Sequence, residues 1–315
     1  MTAPFLVDQG PGTMRYRYHT LDVFTDRVFG GNPLAVFPDA RGIPNGQMQR
    51  VAREFNLSET VFVLPPETAE GTRRARIFTP TAELPFAGHP TVGTAILLAA
   101  LGEVALDGGE TRIVLEEGVG PVSVLVRGQD GRPEFAQLSA AQMPETRPSP
   151  VGRDELAALL GLSPDDVLEG EFSPAPVSCG VPFLVVPLRG LDALGRARLD
   201  PTRWERLLAG TWAPQVYPFA PAGPPADFRV RMFAPALGVA EDPATGAAAA
   251  AFAGYLALRE TTDGAFRWTL EQGIEMGRPS TLHVEADRAA GRVAAIRVGG
   301  SAVQVGEGWM EIPDE

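Results

Sequence analysis

Lysine is missing from this chain: all 27 of its basic residues are arginine. A lysine Schiff base, to pyridoxal phosphate or to a carbonyl substrate, and a P-loop lysine are therefore excluded. Cysteine occurs once, at Cys179, so the chain can form no internal disulfide, no thiolate zinc site and no pair of facing thiols. Histidine occurs only as His19, His89 and His283, too sparsely for a histidine-rich metal centre. Positive charge is also short. Against 39 acidic residues the 27 arginines leave a net charge of −12, without blocks of like sign. That balance disfavours nucleic acid and anionic membrane surfaces as partners. No apolar run reaches the roughly 18 residues of a spanning helix, and no basic leader opens the chain, so a cytoplasmic protein is expected. What these absences leave is acid–base chemistry by carboxylates and one histidine.

With 315 residues, 44% hydrophobic and 21% charged, the chain is long enough for two domains with a core each. Two stretches dominate it. Glu83-Leu84-Pro85-Phe86-Ala87-Gly88-His89-Pro90-Thr91-Val92-Gly93 leads into an uncharged segment ending at Leu101. Glu241-Asp242-Pro243-Ala244-Thr245-Gly246-Ala247 leads into a second one, ending at Leu258. Each reads as a loop bringing a polar side chain to the start of a helix, with Pro90 at a first helical position. Lacking a polar face, both helices should be enclosed on all sides.

Alternating or short apolar runs around these helices predict strands. In the first half they lie at 16–24, 34–37, within the segment 56–64, and at 73–78, 111–116 and 122–126; in the second at 183–186, 227–233, 267–271, 280–286, 292–298 and 302–305. Glu59 falls near the beginning of its strand. Surface helices are expected at 47–55, entered through Asn45, at 153–160 and at 204–208. Residues 1–12 read as a loose leader, and Gly128 to Pro150, rich in glycine and proline, as a linker. Three ordered matches relate the halves: Gly31 to Phe37 with Gly180 to Val186, Arg76 to Pro80 with Arg231 to Pro235, and His89 to Gly93 with Asp242 to Gly246. An internal duplication follows, with pseudo-equivalent domains at 13–128 and 129–315. The last strand could return to the first of them.

A helix N-terminus presents unpaired N–H groups and a partial positive charge, suited to a carboxylate or a forming oxyanion. Gly93 and Gly246 would let a ligand approach the backbone. If the two helix starts share a cleft, His89 and Asp242 face each other across it, and Glu59 adds a carboxyl with an apolar setting able to raise its pKa. Singly, these residues have plainer roles: Asp242 before a proline is a good helix cap, and Asn32 after two glycines suits a turn. Their recurrence in two halves favours a site.

The motifs Gly30-Gly31-Asn32-Pro33, Asn56-Leu57-Ser58-Glu59-Thr60, Phe86-Ala87-Gly88-His89-Pro90-Thr91 and Glu241-Asp242-Pro243-Ala244-Thr245-Gly246, with Gln272-Gly273 and Gly277-Arg278-Pro279-Ser280, closely resemble the PhzF-like phenazine-biosynthesis isomerase family. The resemblance runs from about Tyr16 to Ile312. It implies an α+β fold similar to diaminopimelate epimerase: two pseudo-symmetric domains, each a β-barrel-like sheet wrapped around a central helix. It further implies a cofactor-independent homodimeric isomerase of a small carboxylate, as in the isomerisation of trans-2,3-dihydro-3-hydroxyanthranilate. Glu59 would be the acid–base, His89 and Asp242 would assist, and Asn32, Gly88, Pro90, Thr91, Thr245, Gly246 and Ala247 would surround the substrate. The family's phenazine enzymes carry serine where Ala247 stands, which bears on the substrate rather than on the reaction class. Two rival readings are an epimerase or racemase using Glu59 and Asp242 from opposite faces, and a non-catalytic metabolite-binding protein.

Overall fold

A computed structural model of the chain describes residues 12–106 and 109–314; the expected leader, but for Gly12, lies outside them. The first half holds β1 (Thr13–Val23), β2 (Asn32–Phe37), α1 (Asn45–Phe55), β3 (Glu59–Leu64), β4 (Arg73–Phe78), β5 (Glu83–Leu84) and α2 (Gly88–Ala100). It continues with β6 (Glu110–Glu117), β7 (Gly120–Gln129), β8 (Arg132–Ser139) and β9 (Glu145–Thr146). The second half holds α3 (Arg153–Leu159), β10 (Ala175–Ser178), β11 (Pro182–Pro187), α4 (Leu191–Arg196), α5 (Pro201–Leu207), β12 (Gln215–Pro221) and β13 (Phe228–Val230). After α6 (Gly246–Ala257) come β14 (Gly264–Gln272), β15 (Ser280–Ala289), β16 (Arg292–Gly300) and β17 (Ala302–Pro313).

Strand pairing runs in the same order twice. From β1 to β4, then β6 to β8, successive pairs are antiparallel, parallel, antiparallel, parallel, antiparallel, antiparallel. From β10 to β16 the sequence of directions is identical. The halves join where β8 pairs with β16. Each half also lends its last strand to the other: β9 pairs with β10, and β17 runs the length of β1.

One central helix fills each half. All of α2 from Gly88 to Ala99 is buried, as is all of α6 except Ala247. In β3 the side chains alternate: Val61 and Val63 join the core around α2, while Phe62 joins a second cluster with Phe37, Phe78 and Met48 beneath α1. The strand is apolar on both faces because it is covered on both. Glu59 shares the face of Val61 and Val63, which turns its carboxyl toward α2.

Three sequence expectations are corrected. The stretch 128–150 is not a linker; it contains the end of β7, all of β8 and β9. Its glycine and aspartate serve a hairpin, with Asp130 (φ 51°) and Gly131 (φ 74°) as the two central residues between Gln129 and Arg132. Helix α1 is capped by Pro44, and α2 begins at Gly88, so Pro90 is its third residue. The third match between the halves is out of register. Arg76 grips Glu83 at 2.7 and 2.8 Å, and its counterpart Arg231 grips Glu241 at the same two distances. Glu83 therefore corresponds to Glu241, Gly88 to Gly246 and His89 to Ala247, while Asp242 corresponds to Leu84. Proline spacing suggested the other alignment, but ion pairs and packing set where a loop lies.

The two arginine clamps differ in burial. Arg231 is 2% exposed and also donates to the carbonyls of Leu194 and Ala197, whereas Arg76 faces a half-exposed Glu83. Arg231→Met leaves Glu241 and two carbonyls unpaired and should cost about 3–5 kcal/mol in urea denaturation. Arg76→Met should cost about 1 kcal/mol or less.

Candidate active site

The starts of α2 and α6 abut. A Cβ on Gly88 would lie 3.2 Å from the Cα of Gly246, and one on Gly246 would lie 3.3 Å from the Cα of Gly88. A side chain at either position would press on the other's backbone, and glycine at both removes that crowding. Neither helix has a side-chain cap on its first N–H groups. Thr245 stands at the capping position of α6, but its hydroxyl is committed to the carboxylate of Asp242. Helix starts left uncapped in a protein interior are donors waiting for an anion.

Around this junction the structure gathers Glu59, His89, Asp242, Asn32 and Thr245. The Oε2 atom of Glu59 comes within 3.1 Å of Nε2 of His89, although the two are not aligned as a hydrogen bond. His89 also donates to the backbone carbonyl of Pro33. Since Nε2 is unpartnered, the donor is Nδ1, and a neutral ring then turns a lone pair on Nε2 toward Glu59. Burial pushes the His89 pKa down to about 3, so the ring is neutral at any ordinary pH.

Asp242 is held from three sides. The amide of Asn32 donates to it at 2.9 Å, Thr245 donates its hydroxyl, and the Ala244 N–H contributes a third bond. The same Asn32 nitrogen reaches the Ala244 carbonyl at 2.9 Å, so Asn32 ties the first half to the loop before α6. Burial raises the Asp242 pKa to about 6 against these three bonds. Burial, and then the negative charge of Asp242, raise that of Glu59 to about 8. Near neutrality the pair therefore carries one charge and one proton: Asp242 is ionised and Glu59 is mostly the acid, with its base form within easy reach. Two carboxyls driven apart in this way are a recurrent acid–base arrangement.

Other expected site residues are placed differently. Pro90 and Thr91 are buried in the first turn of α2, where the Thr91 hydroxyl meets the Ala87 carbonyl and Glu117. Gly93 packs against Val23 and Leu34 in the core. Ala247, the partly exposed residue of α6, sits where the repeat has His89. Gln272, noted in the sequence only as part of a motif, is fully buried; it donates to the Asp242 carbonyl at 2.8 Å and accepts from the Thr245 N–H at 3.2 Å. Other polar residues escaped sequence reading. Tyr217 on β12 is fully buried with an unpartnered hydroxyl, close enough to Asp242 to feel its charge. Strand register makes Gln215 the counterpart of Glu59: Leu34 pairs with Glu59 as Phe183 pairs with Gln215. Alignment of the halves would have flagged Gln215, but buried polar residues on an apolar strand otherwise carry no sequence signal. Burial pushes the Cys179 thiol up to about 12, which leaves it unreactive. Among the described residues no group of three or more acidic, cysteine or histidine side chains is placed to hold a metal, and no helix is long and apolar enough to cross a membrane.

Residues 21–308 match the family model described as phenazine biosynthesis-like protein. The chain belongs to that family. It is 45% identical, over 94% of its length and 98% of the relative's, to an uncharacterized isomerase of Mesorhizobium japonicum. It is 38% identical, over 93% of its length and 98% of the relative's, to the trans-2,3-dihydro-3-hydroxyanthranilate isomerase of Pseudomonas aeruginosa. Among solved structures, a PhzF-family phenazine biosynthesis protein of Bacillus anthracis superposes with a TM-score of 0.84 at 25% identity, covering 94% of this chain and 99% of that one. A probable proline racemase of Agrobacterium radiobacter shares the fold at a TM-score of 0.60 and 14% identity, covering 93% of this chain and 92% of its own. This phenazine biosynthesis-like protein is thus an isomerase of α+β, epimerase-like fold.

Burying Glu59 has a stability signature. Its pKa rises from 4.5 unfolded to about 8 folded, so the native state holds the proton more tightly. The resulting stabilisation is complete below pH 4.5 and is lost as pH rises to 8. Glu59→Gln, which keeps the shape without the charge, should unfold at a higher urea concentration than the native chain at pH 8, and at nearly the same one at pH 4.

Proposed function

We propose that this protein is a cofactor-independent isomerase that moves a proton between two carbons of a small conjugated carboxylate, of the kind represented by trans-2,3-dihydro-3-hydroxyanthranilate. The observation that carries the reading is the state of Glu59: a buried carboxyl with its pKa at about 8, beside an ionised Asp242 and facing the lone pair of a neutral His89. In its ionised form Glu59 removes a proton from a saturated ring carbon. The electron pair released spreads through the conjugated system toward the substrate carboxylate, whose charge the uncapped starts of α2 and α6 receive. Glu59, now protonated, can donate to Nε2 of His89 while it waits, and then returns the proton to the carbon at the far end of the conjugation. Asp242, pinned by Asn32 and Thr245, keeps the Glu59 pKa high enough for both transfers.

The racemase reading needs Asp242 as a second base on the opposite face, yet Asp242 accepts from Asn32, Thr245 and the Ala244 N–H. The counterpart of Glu59 is Gln215 and that of His89 is Ala247, and neither can ionise. That asymmetry favours transfer on one face by one base. The homodimer implied by the family resemblance belongs to this proposal as well, and sedimentation velocity would test it.

Proton NMR of trans-2,3-dihydro-3-hydroxyanthranilate incubated with the protein in deuterated buffer tests the reading. The expected result is isomerised product, with deuterium entering carbon to the extent that Glu59 exchanges its proton with solvent. Glu59→Gln should slow turnover by about 10²–10⁴-fold. Unchanged substrate with the native protein would remove this substrate from the proposal, and full activity in Glu59→Gln would remove the base.

A further inference from the structure

The turn from β6 into β7 braces the loop that delivers His89. Val119 donates its N–H to the Pro85 carbonyl at 3.0 Å, and a Cβ on Gly118 would come within 2.7 Å of the Pro85 Cα. Glu117, the last residue of β6, is 8% exposed and meets Thr91 in the first turn of α2. The Thr91 hydroxyl oxygen lies 2.7 Å from the Ala87 carbonyl oxygen and 2.6 Å from Oε1 of Glu117. A hydroxyl has one proton, and a carbonyl oxygen has none. Both short contacts are satisfied together only if Thr91 donates to Ala87 and Glu117 carries a proton that it donates to Thr91.

The repeat supplies an independent observation. Arg74 pairs with Glu116 in the first half as Arg229 pairs with Glu271 in the second, which makes Gln272 the counterpart of Glu117. Gln272 braces the start of α6 through Thr245 and the Asp242 carbonyl. The following glycines also correspond: Gly273 lies against Pro243 as Gly118 lies against Pro85. An amide is the uncharged isostere of a carboxylic acid, so both halves place a neutral planar donor under a helix start. The second oxygen of Glu117, Oε2, is buried without a partner, a tolerable state for the carbonyl of an acid and a costly one for a carboxylate. Burial raises the Glu117 pKa to about 8, and no charged side chain contributes to the shift.

We infer that Glu117 is a positioning residue of the isomerase site, an un-ionised acid that locks Thr91 onto the Ala87 carbonyl and so sets the Gly88–His89 turn beside Glu59. The inference takes its kinetic readout from the proposed reaction, but its structural readout stands apart from any substrate. Only three histidines contribute to an ¹⁵N-histidine spectrum, and His89→Asn identifies the His89 ring. Glu117→Gln should leave the His89 ring signals in place, whereas Glu117→Ala and Thr91→Val should both displace them. A ¹³C-carboxyl titration, with Glu117 assigned by its loss in Glu117→Gln, should show that carboxyl protonated at pH 7. In turnover, Glu117→Gln should stay within about threefold of the native kcat, and Glu117→Ala should lose about 10²-fold in kcat with a smaller change in KM. An ionised Glu117 at pH 7, equal displacement of His89 by Gln and Ala, or an unmoved His89 in both Glu117→Ala and Thr91→Val would each overturn the inference. Thr91→Val decides the matter should Glu117→Ala not fold. A native protein inactive on trans-2,3-dihydro-3-hydroxyanthranilate would count against the proposed substrate alone, because the two NMR readouts need none.

Discussion

The rest of this structure depends on two helices meeting head to head. Gly88 and Gly246 touch backbone to backbone, which brings two partial positive charges together in the protein interior. Such a junction is unfavourable unless negative charge is nearby, and the ionised Asp242 supplies some of it. The remaining uncapped N–H groups leave room for more, which the proposed function assigns to a substrate carboxylate. The junction also requires the surrounding architecture: only a sheet wrapped around each helix can hold both starts at one point, and the exchange of β9 and β17 between the halves ties those sheets together.

Within this nearly symmetric frame the chemistry is one-sided. The repeated features are mechanical: the Arg76–Glu83 and Arg231–Glu241 clamps, the glycine–proline packings, and a neutral brace under each helix start. The reactive features have no twin. Glu59 corresponds to Gln215, His89 to Ala247, and Asp242 and Asn32 to Leu84 and Val181 in the repeat. A scaffold that repeats its strand order therefore places one ionisable pair, Glu59 and Asp242, at the meeting of its two central helices. The burial that raises the Glu59 pKa also makes its charge a burden on folding at alkaline pH, the relation expected between a tuned acid–base group, as proposed for Glu59, and the stability of its host.

Much of this was legible beforehand. The uncharged helices, the strand at Glu59, the recurrence of motifs and the polar residues at the helix starts could all be read from patterning. Three errors share a cause. The hairpin at Asp130-Gly131 was taken for part of a linker because glycine and proline mark both, and only pairing partners distinguish them. The register between His89 and Asp242 was misjudged because proline spacing says nothing of where a loop is anchored. Glu117, Gln215 and Tyr217 passed unnoticed because a polar residue on a strand looks the same whether it faces water or a buried helix.

The sequence by itself determined which chemistry was open, since the absence of lysine and the single cysteine left carboxylates and one histidine. It also determined the enclosed helices, because a helix that is apolar all round has no face to turn to water. Tertiary structure alone decided which carboxylates become acids. A pKa depends on what surrounds a group in three dimensions, and the burial of Glu59, the charge of Asp242 beside it and the three donors holding Asp242 come from segments as far apart as Asn32 and Thr245. No local pattern encodes that convergence.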